Sequence, residues 1–359
     1  KRGSISNGDQ NIFAGATSDG RSFLRFKPDD KLRIRENISA TEYFNLETTS
    51  LYRDCNGWYH IVVAIDTTQS TASDRIKLYV NGTQITDFSS SSYPSQNLDL
   101  KGWNNNTIHI WGNQHTGSEY FDGSMTHCHF IDGTALTPTS FGEFDSNGVW
   151  IPKPSPSVTY GTNGFFLKMD NSGNMGLDSS GNSNNFTTSG TITQAKDTPS
   201  NVFATLNALD NTSQTLSNGN TSGYGVTNKA YRTILGFQGG KYYWEAKCVT
   251  QNTYTMIVGL INETNISNGS YASGNIGTNA NGWAYFMQSN QDNGKSWHNN
   301  TLGSTYQTIS QGGILQIAVD GDAGKIWWGV NGTWVNSGNP ANGTNAVFTN
   351  VSTDQILFP

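Results

Sequence analysis

The sequence is poor in cysteine and in charged residues. Its 359 residues include only three cysteines, Cys55, Cys128 and Cys248, and their wide spacing matches no zinc-binding pattern. An odd number of cysteines cannot pair completely within one chain, so we expect three thiols and a fold that is stabilised by the size of its core. Charged residues make up 13% of the chain, the net charge is −6 and no basic stripe is present, which argues against nucleic-acid binding.

Long hydrophobic runs and helical periodicity are also missing. No apolar run is long enough to span a membrane, and no signal peptide is visible. The 40 glycines and the aromatic content of 12% favour a turn-rich antiparallel sheet. We therefore predict an all-β protein that does not insert into membranes and is long enough for two or three domains.

Two Asn-Gly pairs mark the clearest local structure in the chain. Residues 314–319 form an apolar run of strand length that ends in Asp320, and a second strand-like segment leads to Asn331-Gly332. Residues 60–66 and Asn81-Gly82 repeat this arrangement upstream. Asn-Gly favours a type I′ hairpin turn because both central residues need positive φ. We predict tight hairpins at both pairs, within two domains of similar architecture.

The apolar run before the first hairpin predicts a covered strand. Ile61, Val63 and Ile65 should share one face, with Val62 and Ala64 on the other. Because both faces are apolar, we expect this strand to be central in its sheet and covered on both sides.

A proline-rich segment separates the two halves. Pro152, Pro154 and Pro156 fall within five positions, which favours an extended, semi-rigid linker. We predict a first sandwich over residues 1–147, a linker with bridging strands over 148–200, and a second sandwich over 201–359. The predicted fold class is all-β, with two antiparallel jelly-roll-like β-sandwiches.

The first half carries a set of motifs known from one lectin-like family. They are Trp58-Tyr-His-Ile-Val-Val63, the hairpin Lys77-Leu-Tyr-Val-Asn-Gly82, and Phe121-Asp-Gly-Ser124 followed by Phe130-Ile-Asp-Gly133. With these motifs, residues 1–142 resemble the laminin-G-like branch of the concanavalin A-like lectin superfamily. The resemblance implies an antiparallel sandwich.

The second half resembles a SPRY domain. The matching motifs are Gly240-Lys-Tyr-Tyr-Trp-Glu245, Ile257-Val-Gly-Leu260, and the run from Ile317 to Gly332. This resemblance also implies an antiparallel sandwich. Laminin-G-like units usually begin before a segment like Lys1-Arg2, and SPRY units usually continue past one like Leu357-Phe-Pro359, so the resemblance implies a fragment cut at both ends.

The order of the two domains is similar to that of structural proteins of tailed bacteriophages, particularly marine ones. It implies a virion protein at the particle surface, such as a tail fibre, tail tip or appendage. Its expected partners are other virion proteins and host-surface glycan, and we expect a homo-oligomer. Two alternatives stay open: a purely structural capsid decoration or tail protein, and a secreted bacterial lectin or adhesin.

Acidic residues do not form a glycosidase motif. Retaining enzymes of the concanavalin A-like superfamily place three acids at alternating positions of one strand, whereas Glu143 and Asp145 are followed by Asn147. Hydrolysis requires two carboxylates that flank the sugar bond. We expect a protein that is not an enzyme.

Several histidines and strand-end aspartates could bind metal ions, but we favour structural roles for them. His127 and His129 should share a strand face, and His115 is a third candidate, but a transition-metal site needs three or four convergent ligands. Asp66, Asp132 and Asp320 end strands, where Ca²⁺ can bind with help from carbonyl groups, although Asp at such positions usually serves the turn. We expect no cofactor and keep calcium as an open alternative.

Aromatic residues near Asn/Gly-rich loops are the predicted ligand-binding groups. Sugar sites combine an apolar ring with a few polar hydrogen-bonding groups. In the second half we predict contact on loops at one end of the sandwich, with Trp297 as either an exposed contact residue or a plug over the core. The predicted ligand-binding residues are Trp283, Tyr285, Trp297, His298, Trp103, Trp111 and Tyr120.

Overall fold

The structure is a computed structural model that describes residues 1–5, 8–17, 20–114, 117–209, 215–224, 230–251, 255–267, 276–289 and 291–359. The chain divides into two compact units, Lys1–Phe203 and Ala204–Pro359. The segment 148–200, which we predicted as linker and bridging strands, lies in the first unit.

The first unit contains thirteen strands and one short α-helix among its described residues. The strands are β1 (Gln10–Thr17), β2 (Gly20–Phe26), β3 (Lys31–Ile38), β4 (Thr41–Leu51), β5 (Ile61–Ile65), β6 (Ile76–Val80), β7 (Thr83–Ile85), β8 (Phe88–Ser92), β9 (Ile108–Trp111), β10 (Cys128–Phe130), β11 (Gly142–Phe144), β12 (Trp150–Pro152) and β13 (Phe165–Leu167). Helix α1 (Lys101–Asn104) precedes β9. A 3-10 turn, Pro138–Ser140, precedes β11.

Two sheets of the first unit enclose its core. One has six strands in the order β8-β4-β3-β2-β1-β9, and the other has three in the order β5-β6-β7. Alternation is clearest in β3, where Leu32, Ile34, Glu36 and Ile38 are buried and the intervening residues 33, 35 and 37 are half-buried. The fourth inward position of β3 is Glu36, which accepts hydrogen bonds from Ser22 Oγ at 2.6 Å and from the Gly102 amide at 2.9 Å, so its carboxylate is satisfied and holds α1 against the sheet.

The predicted position of the 61–65 strand is wrong. Strand β5 lies at the edge of its sheet and pairs only with β6, as far as the described residues show. All five of its residues are half-buried. The second edge of β5 has no described strand beside it, and the later strand β10 pairs with β13.

The second unit contains eleven described strands and a second short helix. The strands are β14 (Thr215–Ser217), β15 (Ser222–Tyr224), β16 (Lys241–Lys247), β17 (Met256–Asn262), β18 (Gly282–Gln288), β19 (Lys295–His298), β20 (Thr301–Thr305), β21 (Ile314–Asp320), β22 (Lys325–Val330), β23 (Thr333–Trp334) and β24 (Leu357–Phe358). Helix α2 (Glu263–Ser267) follows β17 directly. Neither helix, nor any other in the described part of the chain, is long and apolar enough to cross a membrane.

A four-stranded sheet, β16-β21-β22-β23, and a five-stranded sheet, β20-β19-β18-β17-β24, form the second unit around one core. Leu315, Ile317 and Val319 of β21 alternate into that core, where they meet Trp283 and Tyr285 of β18. Every strand pairing in both units is antiparallel, which confirms the predicted all-β class and the sandwich architecture.

Both Asn-Gly turns have the predicted form. Asn81 and Gly82 have φ of 48° and 79° and connect β6 to β7, and Asn331 and Gly332 have φ of 50° and 89° and connect β22 to β23. Positive φ at both positions is the signature of a type I′ turn.

Candidate functional site

The structure does not place Trp283 and Tyr285 on a loop. Both lie in β18 and are buried, with 1% and 0% exposure. The Trp283 indole nitrogen donates to Asn350 Oδ1 at 3.2 Å, and the Tyr285 hydroxyl donates to the Gln307 carbonyl at 2.6 Å. Their placement on exposed loops is therefore wrong, because β18 is covered on both faces and these rings serve the core.

Trp297 and His298 belong to β19, next to β18. Trp297 is half-buried, with its ring 5.3 Å from that of Phe286. His298 stacks on Trp283 at 5.2 Å and is held between the Gly282 carbonyl and the Asn350 amide, each 2.9 Å away. These contacts favour the alternative in which Trp297 packs over the core.

The predicted aromatic residues of the first half separate into two groups. Trp103 of α1 and Trp111 of β9 both lie 5.1 Å from the ring of Phe13, so one core residue brings them together. Tyr120 is 62% exposed.

The acidic and histidine candidates mostly serve turns and packing. Asp145 accepts two backbone hydrogen bonds, at 2.9 and 2.8 Å, from the turn that follows it, while Glu143 is exposed. His129 stacks on Phe166 at 4.0 Å, and burial lowers its pKa to about 3. No group of three or more His, Cys, Asp or Glu side chains within the described ranges is arranged to hold a metal ion, and His115 lies outside those ranges.

The three strand-end aspartates bind neighbouring turn atoms. Asp66 accepts hydrogen bonds from the Thr68 hydroxyl and the Gln69 amide, each at 2.6 Å. Asp132 accepts one from the Asn163 amide at 3.0 Å, and Asp320 accepts one from the backbone N–H of Ala323, three residues beyond the end of β21. These contacts are turn chemistry.

A set of aromatic and polar side chains lies together on the outer face of the four-stranded sheet of the second unit. Register places Glu245 of β16 beside Gln316 of β21, Gln316 beside Gly329 of β22, and Gly329 beside Trp334 of β23. Tyr243 projects from the same face of β16 and is 53% exposed. We call these five residues the Tyr243–Trp334 face.

One hydrogen-bond chain fixes the polar groups of the Tyr243–Trp334 face. The backbone N–H of Gly332, in the hairpin turn, donates to Gln316 Oε1 at 2.6 Å. Gln316 Nε2 then donates to the Tyr243 hydroxyl at 3.1 Å, and that hydroxyl donates to Glu245 Oε1 at 2.5 Å. The Asn-Gly turn thus orients side chains on two neighbouring strands, β21 and β16.

Glycine at position 329 makes room for the indole of Trp334. A Cβ there would lie 3.0 Å from Trp334 Cε3 and 3.2 Å from Gln316 Oε1. The ring centroids of Tyr243 and Trp334 are 6.3 Å apart and meet edge to face, at 75°. Desolvation raises the pKa of Tyr243, and the hydrogen bond to Glu245 raises it further, so the hydroxyl stays protonated and available for hydrogen bonding at neutral pH.

The outer face of the six-stranded sheet in the first unit is different. There Glu47 pairs with Lys27 at 3.0 Å and Lys31 at 3.3 Å. Burial acts to raise the pKa of Glu47, but these two cations lower it. The charged side chains on this face of the first unit form ion pairs with one another. On the corresponding face of the second unit, the ring of Tyr243 and the carboxylate of Glu245 are exposed.

Sequence reasoning missed the Tyr243–Trp334 face because its members come from four separate strands. One signal was present: Gln316 interrupts an otherwise apolar strand, which indicates an outward-facing polar side chain. The partners of Gln316 follow only from strand register.

Family models match both units. Residues 1–140 match the model described as the Concanavalin A-like lectin/glucanases superfamily, and residues 241–359 match the model of the SPRY domain. A concanavalin A-like domain is therefore followed by a SPRY domain. No curated protein sequence matches the chain significantly.

Solved structures of the same two kinds are similar to parts of the chain. The SPRY domain of human HERC1 is 20% identical, with 36% of this chain and 72% of that chain covered and a TM-score of 0.28. The TRIM65 PSpry domain is 18% identical, with 44% and 82% covered and a TM-score of 0.32. Domains LG4-5 of the mouse laminin alpha1 chain are 10% identical, with 99% and 73% covered and a TM-score of 0.24.

Proposed function

We propose that this chain, a concanavalin A-like domain followed by a SPRY domain, is a non-enzymatic surface protein of a tailed-bacteriophage particle that binds host-surface glycan. The observation that carries the proposal is the Tyr243–Trp334 face. The order of the two domains, which resembles that of phage structural proteins, supports the particle surface as its location.

The chemistry of the Tyr243–Trp334 face suits a sugar. Aromatic rings pack against the apolar C–H face of a pyranose, and amide and carboxylate groups hydrogen-bond its hydroxyls. Tyr243 and Trp334 supply rings, Gln316 supplies an amide and Glu245 a carboxylate. Because Gln316 and the Tyr243 hydroxyl are already oriented by the hairpin turn, binding need not order them, which favours affinity.

The same face lacks the groups for hydrolysis. A glycosidase needs two carboxylates on either side of the scissile bond, and Glu245 is the one carboxylate among the five residues of the face. This composition supports binding without cleavage.

Glycan binding by full-length protein and matched variants tests the proposal. We expect a glycan array to identify a ligand, and Tyr243→Ala or Trp334→Ala to weaken its binding about tenfold or more, as for aromatic residues at the centre of an interface. Tyr243→Phe keeps the ring and should have a smaller effect. Tyr242→Ala is the matched control, because Tyr242 is the adjacent residue on the opposite face and stacks on Phe237 at 4.0 Å.

Three outcomes would contradict the proposal. Equal binding by Tyr243→Ala and Tyr242→Ala would remove this face as the glycan site. A silent array, together with antibody labelling that places the chain between other virion proteins, would favour a purely structural role. Release of reducing sugar from the bound glycan would contradict the non-enzymatic assignment.

A further inference from the structure

The strongest free hydrogen-bonding group of the Tyr243–Trp334 face is the carboxylate of Glu245. Gln316 Oε1 is already bound to the backbone N–H of Gly332. The Tyr243 hydroxyl gives its hydrogen to Glu245 Oε1. Glu245 is exposed, and a carboxylate can accept about four hydrogen bonds, so most of its acceptor capacity faces solvent. A ligand that contacts Glu245 must therefore bring hydrogen-bond donors.

Two hydroxyls on adjacent ring carbons of a sugar are donors that suit a carboxylate. Hydrogen bonds from O–H groups to a carboxylate are charge-assisted and roughly twice as strong as those between neutral groups. Gln316 Nε2 holds the Tyr243 hydroxyl at 3.1 Å, and that hydroxyl holds Glu245 Oε1 at 2.5 Å. The carboxylate is thus oriented before a ligand arrives. A sugar with its own carboxylate would instead place like charges together, which suppresses binding.

Two cations of β16, Lys241 and Lys247, share the strand face of Glu245. Lys241 is four residues from Glu245, about 14 Å along the strand, and forms an ion pair with Asp320 at 3.7 Å. Lys247 lies on the opposite side of Glu245 from Tyr243. The hydrogen bond from Tyr243 holds the carboxylate on the side away from Lys247, so its negative charge is left for the ligand.

We propose that Glu245 makes the Tyr243–Trp334 face select neutral sugars that carry two adjacent hydroxyls and disfavour acidic sugars such as uronates. The hydroxyl pair donates to the Glu245 carboxylate, while the C–H face of the sugar ring packs on Tyr243 and Trp334. This inference rests on the proposed glycan-binding function and names the class of sugar that the face takes.

Matched polysaccharides test the selection. Polygalacturonate and alginate are each immobilised in three forms: unmodified, with the carboxylates reduced to neutral CH₂OH groups, and reduced and then O-methylated. We expect the full chain to bind a reduced form at least about tenfold more tightly than its acidic parent. O-methylation keeps the ring but removes the O–H donors, and should weaken binding by a similar factor.

The outcomes separate this inference from the function on which it rests. Equal binding of the acidic and reduced forms, with loss of both in Tyr243→Ala, would overturn the selection and leave the glycan site in place. Unchanged binding after O-methylation would overturn the role of the hydroxyl pair. If no form of either polymer binds, the inference is overturned, and the glycan array still judges the proposed function.

The variant Glu245→Gln tests which residue selects. It keeps the size of the side chain and removes the charge, so the preference for the reduced polymer should fall to less than about twofold. Glu143→Gln is the matched control, because Glu143 is exposed in the first unit and its loss changes the net charge equally. Glu143→Gln and Lys247→Gln should both keep the preference. If Lys247→Gln loses it and Glu245→Gln does not, the assignment to Glu245 is wrong.

Ionic strength gives a readout on the unmodified protein. The Debye length falls from about 30 Å at 0.01 M salt to about 3 Å at 1 M, so repulsion between exposed charges is screened. We expect the preference for the reduced polymer to decrease several-fold over this range, and to change less in Glu245→Gln. Equal salt dependence in the two proteins would show that the net charge of the whole chain, rather than Glu245, repels acidic sugars, and would overturn the proposal.

Discussion

The Asn81-Gly82 hairpin of the first unit and the Asn331-Gly332 hairpin of the second have nearly the same local geometry. In each, the Asn side chain accepts a hydrogen bond from a backbone N–H at the start of the neighbouring strand, that of His60 at 2.8 Å in one case and that of Ile314 at 2.9 Å in the other. The Asn backbone N–H returns a bond to the carbonyl of that same residue, at 2.8 and 3.0 Å. The Asn-Gly pair supplies the positive φ that the turn needs, and the neighbouring strand completes its hydrogen bonds in both units.

The strands that these hairpins hold differ in their surroundings. Strand β21 lies between β16 and β22, and its residues at 315 and 317–319 are buried, whereas β5 lies at an edge and is half-buried throughout. Two similar apolar runs therefore have different surroundings: β21 packs in a closed core, whereas β5 lines a cavity. An apolar run predicts a strand, but it does not state whether another strand covers its second edge.

The largest expected difference between the units comes from truncation of matched isoleucines. Ile317→Ala removes a fully buried side chain and should cost about 4 kcal/mol of unfolding free energy, because a new void forms in a closed core. Ile65→Ala removes a half-buried side chain that already borders a cavity, and should cost roughly 1 kcal/mol. Calorimetric unfolding of each full-length variant measures both, and equal losses would show that β5 is covered in solution.

Substitution of the two turn glycines by alanine should give a smaller difference in unfolding free energy between the two units. Both glycines have positive φ, so either substitution should cost about 1 kcal/mol from backbone strain. A Cβ at position 82 would also lie 2.5 Å from the ring of Trp150, whereas nothing lies within 4 Å of one at position 332. Gly82→Ala should therefore lose about 2–3 kcal/mol in total. If denaturant unfolding gives equal values, Trp150 is not packed on the turn.

Acid should weaken the first unit through its buried histidines. Burial lowers the pKa of His60 to about 4 and that of His129 to about 3, from an ordinary value of 6.5. As the pH falls below 6.5, the histidines of the unfolded chain bind protons while those of the folded chain stay neutral. The free energy of unfolding therefore has its full value above pH 6.5 and falls as the pH drops towards 4. After discounting for residual solvent contact, the loss should be on the order of 1–2 kcal/mol per histidine.

Unfolding of the first unit, measured from pH 7 to pH 4, tests this expectation. The variant His129→Phe keeps an aromatic ring stacked on Phe166 and should flatten the pH dependence, although it loses the 2.9 Å contact with the Tyr160 hydroxyl. An unchanged slope in this variant would assign the acid sensitivity to other groups.

The candidate sites show where sequence reasoning fails. Trp283 and Tyr285 follow an Asn/Gly-rich stretch, which led us to place them on loops, but their spacing of two continues to Met287 and is typical of a buried strand face. Trp103 and Trp111 were selected singly, and only the structure shows that both rings contact Phe13.

By itself, the sequence determined the strands, the two Asn-Gly turns and the two sandwich domains, because each depends on residues near one another in the chain. Alternation, turn φ and apolar runs are local properties. Only the tertiary structure decided which strand edges are covered and which side chains meet. The bond between Gln316 and Tyr243 joins residues 73 positions apart, and β10 pairs with β13 although β11 and β12 lie between them in the chain. Each strand and each side chain has many possible partners that are distant in the sequence. Which of them it contacts depends on the free energy of the whole fold, and a local sequence pattern does not contain that information.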